Sequence, residues 1–246
     1  GDTGITLRYV GSSDVTTGSE LPSSYSIDEL VVDNSDLTVT ADTSSSVTTL
    51  TLSSGTLNLN EDSLSVFGNA SVNGSLQASQ DGGVILEGGS SSSEIDGTYT
   101  SLPTVIASKD QNSNGVFQTA TIDRVSSATS SENVAVDGNL IAESGNLVLG
   151  NSQVDDVSVS GDFTVASGAR QFSDGGNVLA VAGDYDANPG ATNAGENFAG
   201  DEYVPLDLNA TVVFNGSESQ TVFQRGAVPG VGNSGDFDFS GLEVNN

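Results

Sequence analysis

Oxygen-bearing side chains recur at calcium-loop spacing in one segment of this chain. Asp110, Asn112 and Asn114 alternate with other residues and are followed directly by a glycine. In the first half of an EF-hand loop this spacing folds three oxygens around one hard cation. The closing glutamate is missing: a threonine occupies its position, and Asp123 is the nearest carboxylate. The segment therefore predicts a partial site for Ca²⁺.

A second segment has the same spacing. Asp184, Asp186 and Asn188 alternate in the same way, but the glycine and Glu196 each come one residue later than in the pattern. These residues also predict Ca²⁺ as a cofactor. Asp, Asn and Gly are equally the residues that solvated polar turns require, so for both segments the two interpretations stay open.

Catalysis has little support in the sequence. Cys, His and Met are absent, which excludes thiolate and imidazole chemistry at catalytic or metal sites. The best carboxylate pair is Asp155 with Asp156, and adjacent strand residues face opposite sides of a sheet. We therefore expect no catalytic residues and no enzyme activity.

The sequence predicts a secreted protein that works outside the cell. Asn-X-Ser/Thr acceptors at Asn69, Asn73, Asn209 and Asn215 predict N-glycosylation if the organism has the pathway. The chain starts at Gly1 without Met, so we expect processing from a secreted precursor. No apolar run approaches the roughly 18 residues that a membrane span needs, and we expect no membrane insertion.

The charge is strongly one-sided. Asp and Glu total 33 against 5 Lys and Arg, for a formal net charge of -28. Uncompensated carboxylates repel one another in dilute buffer, and salt near 1 M shortens the screening length to about 3 Å. The composition predicts a protein of a salt-adapted microbe; the alternative is an ordinary acidic secreted protein or one that collects Ca²⁺. Nucleic acid is a poor partner for such a field.

A short repeat indicates the fold. An aliphatic residue, a small or polar one, Val, any residue, a small turn residue and Asp or Asn begin at Leu64, Val134, Val157 and Leu179, with a looser copy at Leu37. The last three copies are almost evenly spaced, and the copy at Leu64 precedes Val134 by close to three such steps. This rhythm predicts an all-β solenoid (β-helix) of short stacked strands with little or no helix; a β-sandwich is the alternative.

The chain divides into a short N-terminal part and a body. Residues 1–20 are predicted to hold one strand and a connection, since Ile5, Leu7 and Tyr9 alternate with polar residues. This strand suits either the chain's own sheet or donation to a neighbouring subunit. Residues 21–246 are predicted to form the solenoid body, with loop excursions at 87–131 and 184–202.

The last residues repeat an early pattern. Residues 239–246 follow the pattern of residues 27–34, near the start of the chain, but without the strand that follows the early copy. Phe239, Leu242 and Val244 are therefore expected to form a coil that a neighbour's N-terminal strand completes. An ordinary final edge strand is the alternative.

Part of the chain resembles a known class of proteins. Residues 212–222 and 239–246 resemble repeat units of large secreted microbial adhesin-like surface proteins, and residues 27–68 are similar to the strand-rich stretch that usually follows such a unit. The resemblance is one of strand and turn pattern. It implies an extended, β-rich extracellular structure without assigned catalysis. The chain departs from that class by having one interrupted unit in place of a tandem array.

These observations predict an extracellular structural subunit. Identical subunits would polymerise head to tail by strand addition into a filament or pilus-like surface appendage. A monomeric adhesin or glycan-binding module, using the two loop regions, is the first alternative. A polysaccharide-active β-helix is the second.

Overall fold

The chain folds entirely into β-strands in the part that is described. The computed structural model describes residues 4–23, 27–79, 81–88, 91–114, 118–124, 133–149, 156–166, 169–173, 178–187, 211–224 and 241–244. Within these ranges there is no helix, and hence none long and apolar enough to cross a membrane. The strands are β1 Thr6–Tyr9, β2 Val15–Thr16, β3 Ile27–Thr40, β4 Ser45–Asn58, β5 Ser63–Val66, β6 Ala70–Val72, β7 Ser75–Gln77, β8 Gly83–Glu87, β9 Ser93–Asp96, β10 Thr104–Ser108, β11 Thr119–Ile122, β12 Val134–Val136, β13 Leu140–Leu149, β14 Val157–Val159, β15 Phe163–Val165, β16 Ala169–Ser173, β17 Val178–Val181, β18 Tyr185–Ala187, β19 Thr211–Phe214, β20 Val222–Gln224 and β21 Gly241–Val244.

The strands stack in parallel into a β-solenoid of about seven turns. Each turn of the solenoid, called a coil below, passes through three columns of strands. The first column runs through the starts of β3 and β4, then β5, β8, β10, the start of β13, β15, β18 and β20. The second contains β1, β6, β9, β11, the end of β13 and β16, with the middle of β3 and β4 between β1 and β6. The predicted solenoid is confirmed, and the sandwich alternative is excluded because its sheets would be antiparallel.

The third column extends from β2, near the start of the described structure, to β21, the last described strand. It begins at β2, continues through the ends of β3 and β4, and reaches β7. After β7 the third column passes through an irregular segment. It then continues through β12, β14, β17, β19 and β21. The first and third columns therefore each end in a strand of the last described coil, β20 and β21.

Inward side chains stack from coil to coil and form the core. In the first column the buried stack runs through Leu64, Val84, Val105, Leu140, Phe163 and Tyr185, none of them more than 1% exposed. Short strands with one residue between two apolar positions place both side chains inside. Each buried Val or Leu contributes about 1.5–3 kcal/mol, so the stack stabilises the fold without any disulfide.

The sequence repeat corresponds to solenoid coils, but only in part. Val134, Val157 and Leu179 lie opposite one another in adjacent strands of the third column, as their even spacing predicts. The copy that starts at Leu64 lies instead in β5, in the first column. Its interpretation as a member of the same stack, three steps before Val134, is wrong. A corner is the tight turn that leads from a strand of one column to a strand of the next. Each such strand ends with a pair of inward side chains before the corner, so the same sequence pattern occurs in different columns.

The range 87–131, in which a loop excursion is expected, is described only in part, because residues 89–90, 115–117 and 125–131 lie outside the described residues. β9, β10 and β11 lie inside that range and pair in register with the coils on either side. Between β9 and β10, residues 98–103 form no strand and join the next coil through one bridge, between Leu102 and Val136. In the second range, 184–202, β18 occupies the beginning and the remainder lies outside the described residues.

Candidate functional site

The buried stacks end on exposed side chains at the C-terminal end of the solenoid. In the first column Tyr185 is 0% exposed, and Val222, its partner in the next strand, is 48% exposed. In the third column Phe214 is 2% exposed, and its partner Val244 is 59% exposed. Within the described residues these two columns therefore end on exposed apolar side chains.

The N-terminal end also presents apolar side chains. β1 pairs in parallel with the chain's own β3, from Thr6 opposite Glu29 to Tyr9 opposite Val32. Ile5 is 59% and Val10 54% exposed, while Leu7, Tyr9 and Val15 are partly buried against the core. The predicted N-terminal strand is thus the first strand of its own solenoid in this structure.

Strand edges remain open at both ends. Among the described strands, β1 and β2 pair only with β3, β20 pairs only with β18, and β21 pairs only with β19. Each of these four strands therefore has one edge without a described strand partner, and unpaired edges of this kind are templates for pairing with another chain. β21 shares the third column with β2, whereas β1 lies in the second. The third column therefore ends in β2 at the N-terminal end of the solenoid and in β21 at the C-terminal end.

The N-terminal end is ordered by polar contacts. Ile5 donates its backbone N–H to Asp28 Oδ2 over 2.6 Å, and Arg8 forms an exposed ion pair with Asp33. The Tyr9 hydroxyl donates to Glu20 Oε1 over 3.2 Å. Burial and the neighbouring Glu20 charge raise the pKa of Tyr9, while hydrogen bonds from the backbone N–H groups of Glu20 and Gly18 lower the pKa of Glu20. β1 is thus tied to the body by side chains as well as by its ladder.

The structure does not bring together the four residues of the first predicted calcium site. Asn114 donates its N–H to Asn112 Oδ1 over 2.9 Å, and Gln118 donates its N–H to the Asp110 carbonyl over 3.1 Å. Asp123 follows five residues after Gln118, at the other end of β11, and at the rise of an extended strand this is about 16 Å away. Asp123 therefore lies too far away to close the loop.

Only part of the second predicted calcium site is described. Asp184 accepts the Thr221 N–H at Oδ1 over 2.6 Å, and Asp186 lies on β18 with its side chain exposed. Asn188 and Glu196 lie outside the described residues. In the described ranges no three acidic side chains form a group that could hold a metal ion.

The predicted glycosylation acceptors lie at corners of the solenoid where they are described. Asn69, Asn73 and Asn215 follow or precede short strands, and Asn209 lies outside the described ranges. Asn69 Oδ1 accepts the Glu94 N–H, and Asn73 Oδ1 accepts the Thr98 N–H, each over 3.2 Å. The amides of Asn69 and Asn73 therefore also connect one coil to the next.

The predicted polymerisation residues near the C-terminus are described only in part. Phe239 lies outside the described residues. Leu242 lies in β21 opposite Val212, and for it only the backbone position is described. Of these three residues only Val244 has a described side chain, and that side chain is exposed.

Comparisons with protein-family models, curated proteins and solved structures gave no match. We therefore base the functional conclusion on the solenoid and its two ends.

Proposed function

We propose that this chain is an extracellular structural subunit that polymerises head to tail into a filament. The observation that carries the proposal is the exposure of Val222 and Val244, which are the next members of stacks that are otherwise buried. Of the five large hydrophobic side chains exposed in the described ranges, four lie on the two end coils: Ile5, Val10, Val222 and Val244. A head-to-tail contact that does not close produces a fibre.

The columns suggest how two subunits meet. If the solenoid continues across the joint, the open edge of β21 pairs in parallel with the open edge of β2 in the next subunit. In β2 the side chain that packs against the core is Val15, so we expect the exposed Val244 to stack on it across the joint. In this form of strand addition β1 remains paired with β3 of its own chain. It is then the first strand of the second column, next to the joint. Backbone hydrogen bonds and buried apolar side chains would both hold the joint.

Charge sets the conditions for assembly. A chain with a net charge of -28 repels its copies in dilute buffer, and this repulsion opposes contact between two ends. Salt near 1 M reduces the screening length to about 3 Å and leaves the apolar contact to dominate. We therefore propose that the filament belongs to a salt-adapted microbe and assembles in strong brine.

Electron microscopy and light scattering near 1 M NaCl test this function. The native chain should form filaments, and Val244→Asp should prevent them because it places a charge in the joint. Phe67→Asp is the matched control: Phe67 is 37% exposed, but it lies at a corner between β5 and β6 on the side of the solenoid. This variant should still form filaments.

Two results would contradict the proposal. A native chain that stays monomeric in brine would favour the single-module adhesin. Filaments that form equally well with Val244→Asp would place the joint elsewhere.

A further inference from the structure

The third column is interrupted at one point on the side of the solenoid. β7 pairs only with β4 among the described strands. The next segment of the column, residues 98–103, contains no strand and joins the stack below through a single bridge between Leu102 and Val136. A groove of about 460 Å³ lies between β7 and this segment. Its volume is in the range of small-ligand sites.

The groove is held open by contacts on both sides. Tyr99 and Leu102 are each 1% exposed, so they anchor the irregular segment in the core. The Tyr99 hydroxyl donates to the Asp123 carbonyl over 2.7 Å, and Leu102 donates its N–H to the Ala135 carbonyl over 2.8 Å. At the other side Asn73 Oδ1 accepts both the N–H and the hydroxyl of Thr98, each over 3.2 Å. The groove is therefore preformed.

The lining combines hydrogen-bonding groups with a small apolar surface. Gln77 Nε2 donates to Ser75 Oγ over 2.8 Å, and Ser101 Oγ donates to Asp137 Oδ2 over 2.5 Å. Ala78 and Pro103 supply apolar surface to the same groove. Amide, hydroxyl and carboxylate groups together can both donate to and accept from a ligand's hydroxyl groups.

The backbone of β7 adds further groups. The Gln77 carbonyl accepts the Leu59 N–H and so points towards β4. Successive residues of a strand direct their backbone groups to opposite edges, so the N–H and C=O of Leu76 point towards the groove. One donor and one acceptor of the main chain are thus available beside the side chains.

From this lining we propose that the groove binds a neutral glycan. A neutral polyhydroxyl ligand matches the mixed donors and acceptors and avoids the repulsion that the net charge of -28 imposes on an acidic one. A peptide strand is a poorer match, because β7 offers an edge of only three residues and the facing segment is not a strand. The site lies on the side of the solenoid, so it would remain accessible along a filament.

Binding to immobilised neutral oligosaccharides of glucose, mannose and galactose, near 1 M NaCl, tests the site. The native chain should bind at least one of them. Gln77→Ala and Ser101→Ala should each weaken binding about five- to tenfold, the effect of losing one neutral hydrogen bond. Gln111→Ala, which removes an exposed glutamine outside the groove, should leave binding unchanged.

Three outcomes would overturn the inference. One is that none of the neutral sugars binds. Another is that binding is unchanged in Gln77→Ala and Ser101→Ala although both variants melt like the native chain. The third is that an alternating Val-Thr hexapeptide binds the groove and the sugars do not.

Discussion

Lys109 Nζ donates a hydrogen bond to Ser93 Oγ over 2.5 Å, and Ser93 Oγ in turn donates to the Phe67 carbonyl over 3.0 Å. The ammonium also donates to the Glu87 carbonyl over 2.7 Å. Lys109 is fully buried, and burial lowers its pKa, an effect that the Glu87 charge partly offsets. The only lysine of the chain thus fills a corner of the solenoid and links three successive coils.

Removal of this side chain should destabilise the fold. Lys109→Ala leaves a cavity and a carbonyl without its donor, and we expect it to lower the free energy of unfolding by about 3 kcal/mol. Lys109→Met fills most of the space but still leaves the Glu87 carbonyl without its donor, so it should cost less, about 2 kcal/mol. Urea unfolding in high salt measures both. Arg8→Met, which removes a cation from an exposed ion pair, is the control and should cost less than about 1 kcal/mol.

A ladder of side-chain caps explains the last residue of the repeat. Asn139 Oδ1 accepts the Asp162 N–H, and Asp162 Oδ1 accepts the Asp184 N–H, both over 2.8 Å. Asp162→Ala should lower the free energy of unfolding by about 1–2 kcal/mol, because the Asp184 N–H loses its acceptor. Asp162→Asn keeps the acceptor, as Asn139 does one coil earlier, and should be close to the native chain. Equal destabilisation by both variants in urea unfolding would rule out this capping role.

Alkaline pH should weaken the fold through Tyr185. This ring is buried, stacks on Phe163 at 5.3 Å and meets Phe214 edge-on at 5.9 Å. Burial raises the pKa of Tyr185 above its unfolded value near 10, so its contribution to stability is complete below pH 10 and is lost as the pH rises further.

Tyr185→Phe isolates this effect. The native chain should lose about 1.4 kcal/mol more stability per pH unit above 10 than this variant does. Urea unfolding at pH 8, 10 and 11 gives the comparison. Parallel pH profiles of the two proteins would show that Tyr185 does not titrate in this way.

Salt should stabilise the monomer as well as the joint. Raising NaCl from about 0.1 M to 1 M shortens the screening length from about 10 Å to 3 Å and removes most of the carboxylate repulsion. We expect Tm to rise by about 10 °C, which corresponds to a few kcal/mol for a chain of this size. Thermal unfolding of Val244→Asp, which should not assemble, separates this effect from assembly. A Tm that is independent of salt would contradict the proposed adaptation to brine.

The sequence predicts the solenoid because inward pairs such as Val157 and Val159 recur with a regular turn between them. It does not predict the column of each copy, since the corners after β5 and after β12 use the same residue types. The groove was missed because it results from a break in regularity, for which Pro103, with no backbone N–H, is the one local signal. Lys109 lies between Ser108 and Asp110 in the sequence and resembles part of a polar loop, so its burial could not be foreseen.

The ends of the solenoid are only partly predictable. Alternation in residues 5–10 identifies a strand, but pairing partners depend on the stack as a whole. The structure pairs β1 with β3 and places β2, not β1, in the column of β21. This column assignment identifies the two strands, β21 and β2, that the joint should bring together.

Disulfide trapping of Val15→Cys/Val244→Cys tests the central claim most directly. The chain has no native cysteine, and adjacent parallel strands lie about 4.8 Å apart, close enough for a disulfide between stacked positions. Phe67→Cys/Val244→Cys is the matched control, with one cysteine on the side of the solenoid. After mild oxidation in brine, we expect a ladder of covalent multimers from the first variant, abolished by reductant, and none from the control. Monomers alone from Val15→Cys/Val244→Cys, or equal ladders from both variants, would contradict a head-to-tail joint between β21 and β2.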